Sequence, residues 1–346
     1  MRYAAITGWG MAVPDRVLTN ADLAQMVETS DEWIVSRTGI RERRVVGPDD
    51  TTTSLATAAA RQALARADLD PAQIDLIVVA TCTPDQFLVS EACLVQAELG
   101  GSAGAFDVGA ACSGFVYALS TASQFVRAGV HERVLVIGVD TLTRHVDYTD
   151  RSTCILFGDG AGAVVLEATD EPRGLLSSVL GADGGGHQHL YIPGWGALVP
   201  ESAALFPEYR PYLKMNGNEV FRFAVRVMGE SAAEAVARAG LTFADIDLLI
   251  PHQANVRIID AAARRLDLPR EKVWVNLDRY GNTSAASIPI AIAEAEAAGA
   301  LHDGDNLVLV AFGGGLTWAA GVVRWGDAGV CRDPACREPR ADAPRG

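Results

Sequence analysis

The feature that most constrains this chain is a long internal repeat. Setting each residue against the one 172 positions later aligns Ala63–Ile77 (ALARADLDPAQIDLI) with Ala235–Leu249 (AVARAGLTFADIDLL), nine of fifteen positions being identical. The same offset sets Val134-Leu135-Val136-Ile137 against Asn306-Leu307-Val308-Leu309. A chance match between two alanine-rich helices would not also align a loop and two separate strand-like runs. The period is far beyond the roughly 20 to 50 residues of a solenoid repeat. It predicts two similar α/β halves related by a pseudo-dyad, over residues 1–170 and 171–326.

Within each half, short β-rich runs alternate with helical patterns, as in layered α/β folds. Strands are expected at Ala4–Thr7, Asp75–Ala80, Ala105–Val108, Val134–Val139 and Ala163–Leu166, and again at Leu175–Gly181, Asp247–Pro251, Lys272–Val275, Asn306–Ala311 and Ala319–Arg324. The first of these should end at Gly8 and Gly10. Helices are expected at Thr53–Ala67, Glu91–Leu99, Ser113–Ala128, Glu219–Ala239, Val256–Leu266 and Ser287–Ala298. Gly184–Pro211 breaks the pattern and reads as a long covering loop, while residues 327–346 read as a disordered tail.

A formal charge of −14 argues against non-specific nucleic-acid binding, which needs a basic footprint. No apolar run reaches the roughly 20 residues that span a bilayer. Six cysteines in 346 residues are not a disulfide framework, so a reduced, cytoplasmic protein is expected. Cys331 and Cys336 lie in the tail, and two ligands make no zinc site; no metal or cofactor is expected.

One cysteine stands apart. Phe106-Asp107-Val108-Gly109-Ala110-Ala111-Cys112-Ser113-Gly114-Phe115 joins a strand to a helix, with small residues around the thiol. A helix N-terminus favours an anion, and a thiolate is the nucleophilic form of cysteine. Alone, Cys112 reads equally well as a small buried residue; Cys82, Cys93 and Cys154 read as core residues. The second half supplies Pro251-His252-Gln253-Ala254-Asn255 after a strand, Tyr280-Gly281-Asn282-Thr283-Ser284 before a helix, and Phe312-Gly313-Gly314-Gly315 after a strand. Each is ambiguous alone. Together with Cys112 they make a thiol, an imidazole, an amide and exposed backbone N–H groups. The glycines of Phe157–Gly162 are not a phosphate loop, because the strand-like AVVL follows them rather than a Lys-Ser/Thr helix; they read as a tight turn near the site. A Cys-His-Asn set also describes papain-like proteases, but their local cysteine signature is absent and a duplicated α/β layout does not suit them.

In order along the chain, TSDEWIVSRTGIRER, DVGAACSGF, FGDGAGAVVL, GNEVFRFAV, PHQAN, YGNTSAASIP and AFGGGLTW resemble the β-ketoacyl-acyl-carrier-protein synthase III family of the thiolase superfamily, from about Ile6 to Trp325. The resemblance implies a five-layered αβαβα fold, a homodimer, and condensation of an acyl-CoA primer with malonyl-acyl-carrier protein. It assigns catalysis to Cys112, His252 and Asn282, and the oxyanion hole to the backbone of Cys112 and Gly314. It implies CoA contacts at Thr29, Trp33, Arg37, Arg151, Gly217, Phe221, Asn255 and Arg257, and an acyl pocket at Leu88, Leu142 and Phe157. Arg257, Arg264 and Arg265, with Arg222, read as a basic face for an acidic carrier protein. Many family members carry Phe-Pro-Ser where this chain has Leu88-Val89-Ser90, which implies a primer not restricted to acetyl. Ser152 follows Arg151 where glycine is common. Two other functions stay open: an acyltransferase that moves the acyl group without decarboxylation, and a non-catalytic module that binds carrier proteins.

Overall fold

The computed structural model describes residues 2–194 and 212–326; most of the expected covering loop and all of the expected tail lie outside the described residues. The first half runs β1 (Tyr3–Ala12), β2 (Val17–Thr19), α1 (Asn20–Leu23), α2 (Asp31–Thr38), β3 (Glu42–Arg44), α3 (Thr52–Arg66), β4 (Leu76–Ala80), α4 (Glu91–Leu99), β5 (Gly104–Val108), α5 (Gly114–Arg127), β6 (Arg133–Asp140) and β7 (Gly160–Thr169). The second runs β8 (Gly174–Ala182), β9 (Leu190–Tyr191), β10 (Lys214–Met215), α6 (Gly217–Arg238), β11 (Leu248–Pro251), α7 (Val256–Arg265), α8 (Leu277–Tyr280), α9 (Ser287–Ala297), β12 (Asn306–Gly313) and β13 (Thr317–Arg324).

Successive strand residues face opposite sides, and both sides are apolar here. Val78 of β4 and Leu307 and Leu309 of β12 point into a shared core with Phe115 and Leu119 of α5 and Ile288 and Ile292 of α9. Their neighbours Ile77 and Val79 meet α3 on the outside of the first half. Val308 and Val310 meet α6 and α7 on the outside of the second. The order of layers is therefore αβαβα, with α5 and α9 between the two sets of strands. Truncating a central side chain such as Leu119 to alanine would cost about 2–5 kcal/mol.

The strands lie in the order β5-β4-β6-β7-β1 and β8-β13-β12-β11, joined where Ala4 pairs with Gly174. Three expectations change. First, β1 does not end at Gly8 and Gly10 but continues to Ala12. A Cβ on Gly8 would strike the carbonyl of Ala63, and one on Gly10 that of Ala59, so the glycines admit the α3 backbone. Second, Lys272–Val275 forms no strand; only Val273 bridges Leu249. Side chains of Arg270 and Gln253 take the carbonyls of Val273 and Trp274 that a further ladder would use. Third, Leu76 pairs with Val134 while Leu248 pairs with Leu307, so the halves correspond at 173 rather than 172 by this point. One residue of register exchanges the two faces of a strand, and it is Val134 and Leu307 that both face the shared core.

Candidate active site

Cys112 lies in a 3-10 turn, Ala111–Ser113, between β5 and α5. Ala111 is held at φ +46°, a left-handed conformation that alanine adopts only when its surroundings impose it. The end of β12 provides part of that pressure. A Cβ on Gly313 would stand 2.6 Å from the Cys112 amide nitrogen, so glycine lets the two backbones touch. Ser113 Oγ donates to the Ala110 carbonyl at 2.8 Å and meets Thr317 Oγ1 at 2.6 Å, which fastens the turn to β13.

The second half brings a matching turn, Ser284–Ala286, to the same place. Ser284 is also left-handed, at φ +51°. Its Oγ donates to Cys112 Sγ at 3.4 Å, and its N–H donates to Asn282 Oδ1 at 2.9 Å. That second bond turns the Asn282 NH₂ group outward as a donor. Asn282 itself is clamped to Phe157: its N–H donates to the Leu156 carbonyl at 2.8 Å, and its carbonyl accepts from Gly158 N–H at 3.0 Å. His252, just past β11, is buried, with Nδ1 2.7 Å from Ser287 Oγ at the start of α9. Its ring meets Phe312 edge-on at 5.4 Å. Cys112, His252 and Asn282 are thus tied together through the single segment 282–287.

Cys112 opens onto a cavity of about 240 Å³ lined also by Ser284 and Gly314 and by Leu142, Phe157, Leu190, Ile192 and Leu213; His252 and Asn282 are not among its lining residues. The described end of the covering loop forms one wall, where β9 pairs with β10. Burial pushes the Cys112 thiol up to about 12; the Ser284 hydroxyl opposes that shift and the charge of Asp140 adds to it. The expected lowering by the helix terminus is overridden, since α5 begins only at Gly114 and the sulfur is enclosed. Burial also holds His252 down to about 3, so the imidazole is neutral at physiological pH.

Two cysteines differ from expectation. Cys93 is exposed, and Cys82 lines the same cavity as Cys112. The Cys82 thiol donates to Asp140 Oδ1 at 3.2 Å, and Asp140 also accepts from Cys82 N–H at 2.8 Å and Ala285 N–H at 3.1 Å. Asp140 thereby ties the Cys82 loop of one half to the Ser284 turn of the other. Neither Asp140 nor the two serines Ser284 and Ser287 carried a signal beyond lying in or near the small-residue motifs.

Away from the cavity, the Trp33 ring lies against two guanidinium groups, Arg37 at 5.0 Å and Arg151 at 4.8 Å. Arg151 also donates to the Glu28 carbonyl at 2.9 Å, and Ser152 turns back onto Asp150. Thr29 Oγ1 is buried without a hydrogen-bond partner among the described residues. Asn255 caps α7 and donates to the Arg37 carbonyl at 3.0 Å, joining α2 to α7. Gly217 opens α6, and Phe221 one turn on lies 5.5 Å from the Arg257 guanidinium. Phe221, Val225, Arg257, Asp260, Ala261 and Arg264 line a groove between α6 and α7.

The four arginines do not form one equivalent face. Arg222 is paired with Glu219 at 2.8 Å, and Arg265 with Glu230 at 3.2 Å, its stem lying over Gly229. Arg257 and Arg264 have no carboxylate partner among the described residues. Leu88 does not line the cavity of its own chain. It is fully exposed at φ +76°, between exposed Phe87 and Val89, on a loop held at both ends by Asp85 and Glu91.

Comparison with known proteins identifies the family. Residues 106–184 match the 3-oxoacyl-(acyl-carrier-protein) synthase III family, and residues 236–325 match the C-terminal family of the same enzyme. A β-ketoacyl-(acyl-carrier-protein) synthase III of Roseiflexus castenholzii is 57% identical over 324 residues, 93% of this chain and 98% of the relative. The crystal structure of the Thermus thermophilus synthase III matches with a TM-score of 0.87 at 49% identity, covering 94% of this chain and 100% of that one. The priming β-ketosynthase of a polyketide biosynthetic pathway matches with a TM-score of 0.89 at 38% identity, covering 94% and 97%. The chain, with its thiolase-type layers and its Cys112, His252 and Asn282, belongs to the β-ketoacyl-acyl-carrier-protein synthase III family of condensing acyltransferases.

Proposed function

We propose that this protein, as a cytoplasmic homodimer, condenses an acyl-CoA primer with malonyl-acyl-carrier protein to give a 3-oxoacyl-carrier protein, CoA and CO₂. The observation that carries the reading is the contact of Ser284, from the second half, with the Cys112 sulfur of the first, the same serine holding Asn282 through its backbone N–H. The Cys112 sulfur attacks the primer thioester, the bond to the CoA sulfur breaks, and the thiol proton ends on CoA. The proton of the Cys112 thiol passes to the departing CoA sulfur within the step, so the buried site need not hold a standing thiolate. Backbone N–H groups of Cys112 and Gly314 support the oxyanion.

Malonyl-carrier protein then loses CO₂, and the electrons of the broken C–C bond form an enolate. Asn282 Nδ2 and His252 Nε2 donate to its oxygen. For His252 this follows if the Ser287 hydroxyl donates to Nδ1, leaving the proton on Nε2. A neutral imidazole and an amide stabilise the enolate without protonating it. The carbanion attacks the acyl-Cys112 carbonyl, the C–S bond breaks, and the Cys112 sulfur takes up a proton. These roles need no cofactor, and among the described residues no cluster of side chains has the make-up of a metal site.

For CoA, Trp33 and Arg151 would sandwich the adenine. A base between them needs two contact gaps of about 3.5 Å each, so Arg151 must leave the Glu28 carbonyl and move outward from its 4.8 Å stack. The free hydroxyl of Thr29, with Arg37, Gly217, Phe221, Asn255 and Arg257, lines the remaining path. The cavity of about 240 Å³ beside Cys112 has mostly apolar walls, which suits primers longer than acetyl. Leu142 and Phe157 form its wall, and Leu88 reaches an acyl pocket only in a partner copy. Arg257 and Arg264 are the arginines free to meet an acidic carrier protein.

Intact-mass measurement with a panel of acyl-CoAs, followed by malonyl-carrier protein, tests the reading. Acyl adducts on Cys112, absent in Cys112→Ala, should form and discharge to 3-oxoacyl products. No adduct with any donor would end the proposal. Adducts that discharge only to other acceptors would make the protein an acyltransferase without decarboxylation.

A further inference from the structure

We propose that Ser284 is a further catalytic residue of this site: its hydroxyl donates to the Cys112 sulfur whenever that sulfur carries negative charge. The inference rests on the acyl-enzyme reading above and deepens it. The sulfur carries negative charge twice, when it gives up its proton to attack the primer thioester and when it is expelled from the acyl-enzyme as the new C–C bond forms. In the first step the electron pair of the scissile C–S bond leaves on the CoA sulfur. In the second it returns to Cys112, which is then protonated.

Three observations point to the serine. Its Oγ is 3.4 Å from Sγ, within reach of a hydrogen bond to sulfur. Ser284 is buried at the cavity wall, with almost none of its surface open to bulk solvent. Its backbone is held at φ +51°, where a serine persists only if the surrounding structure over-determines it. The counterpart residue in the other half, Ala111, has the same left-handed turn and no hydroxyl. The titratable groups acting on the Cys112 sulfur are Asp140, at the end of β6, and Cys82, after β4. The charge of Asp140 opposes a thiolate, and the Cys82 proton is directed to Asp140. The Ser284 hydroxyl is the side chain that favours it.

The same residue holds Asn282 through its backbone N–H, which Ser284→Ala and Ser284→Gly both keep. Glycine additionally relieves the left-handed backbone. A role for the hydroxyl predicts that both variants form acyl-enzyme about tenfold or more slowly. It also predicts that the pH–rate profile for alkylation of Cys112 by iodoacetamide lies about tenfold lower between about pH 7 and 9 in both, read in a Cys82→Ala background. Decarboxylation of malonyl-carrier protein without primer should fall by less than acylation. A Ser284→Gly enzyme with ordinary acylation, or an unmoved alkylation profile in both variants, would overturn the proposal. The alkylation arm uses no substrate, so it judges Ser284 even if the wild-type protein were to form no acyl-enzyme.

Discussion

The turns that open α5 and α9 are one backbone device used for two kinds of chemistry. Each begins with a left-handed residue, Ala111 in the first half and Ser284 in the second. Each then enters a helix of the shared core. The first turn carries Cys112, the thiol proposed above to make and break covalent bonds. The second carries Ala285 in the thiol's place and spends its neighbours, Asn282, Ser284 and Ser287, on hydrogen bonds. Duplication alone would give two equivalent sites. Divergence gives one site with a covalent side and a polar side, facing each other across the pseudo-dyad.

The sharpest way to separate the two sides is to disable the polar one. Asn282→Ala should lower malonyl-carrier-protein decarboxylation by roughly 100- to 1,000-fold, while acyl-enzyme formation, followed by mass, falls far less. Equal losses in both steps would mean that the sides are not separable. The contact between the halves comes next. Gly313→Ala sets a methyl 2.6 Å from the Cys112 nitrogen and should cost about 1–3 kcal/mol in denaturant unfolding, with acylation slowed more than decarboxylation.

The charge states give a third comparison. With His252 neutral down to about pH 3, decarboxylation should be flat between about pH 5 and 8, whereas acylation should rise with pH because burial pushes the Cys112 thiol up to about 12. The folded-state value of His252 lies below its unfolded value of about 6.5. Its contribution to stability is therefore complete above that pH and is lost as pH falls toward 3. Between pH 7.5 and 5 that loss is about 2 kcal/mol, measurable by urea unfolding and absent in His252→Gln. The smallest effect concerns the carrier protein. Arg264→Glu should raise the KM for malonyl-carrier protein several-fold, and Arg222→Glu by less, because Arg222 already answers to Glu219.

Much of this was legible in the chain because it is local. The strand β4 is five buried apolar residues, and the stripe of Phe115, Leu119, Ala122 and Val126 marks the inner face of α5. The missing strand after Pro269 was not legible, since β-rich composition cannot reveal that Arg270 and Gln253 take the carbonyls. The single-residue shift between the halves was hidden for a related reason. Val-Leu-Val-Ile and Asn-Leu-Val-Leu look alike at either offset, and only the pairing of Leu248 with Leu307 fixes which side faces the core.

By itself the sequence determined that the fold is duplicated, that Cys112 ends a strand in a tight turn, and that His252, Asn282 and Gly314 stand at strand and helix ends in the other copy. These are facts of spacing and residue type, which the chain records directly. Tertiary structure alone decided that Ser284 touches the sulfur, that burial rather than the helix terminus governs the Cys112 thiol, and that Arg222 and Arg265 are paired with carboxylates while Arg257 and Arg264 have no carboxylate partner among the described residues. Each of those depends on what residues distant in the chain place within a few ångströms, and on how much water that packing removes.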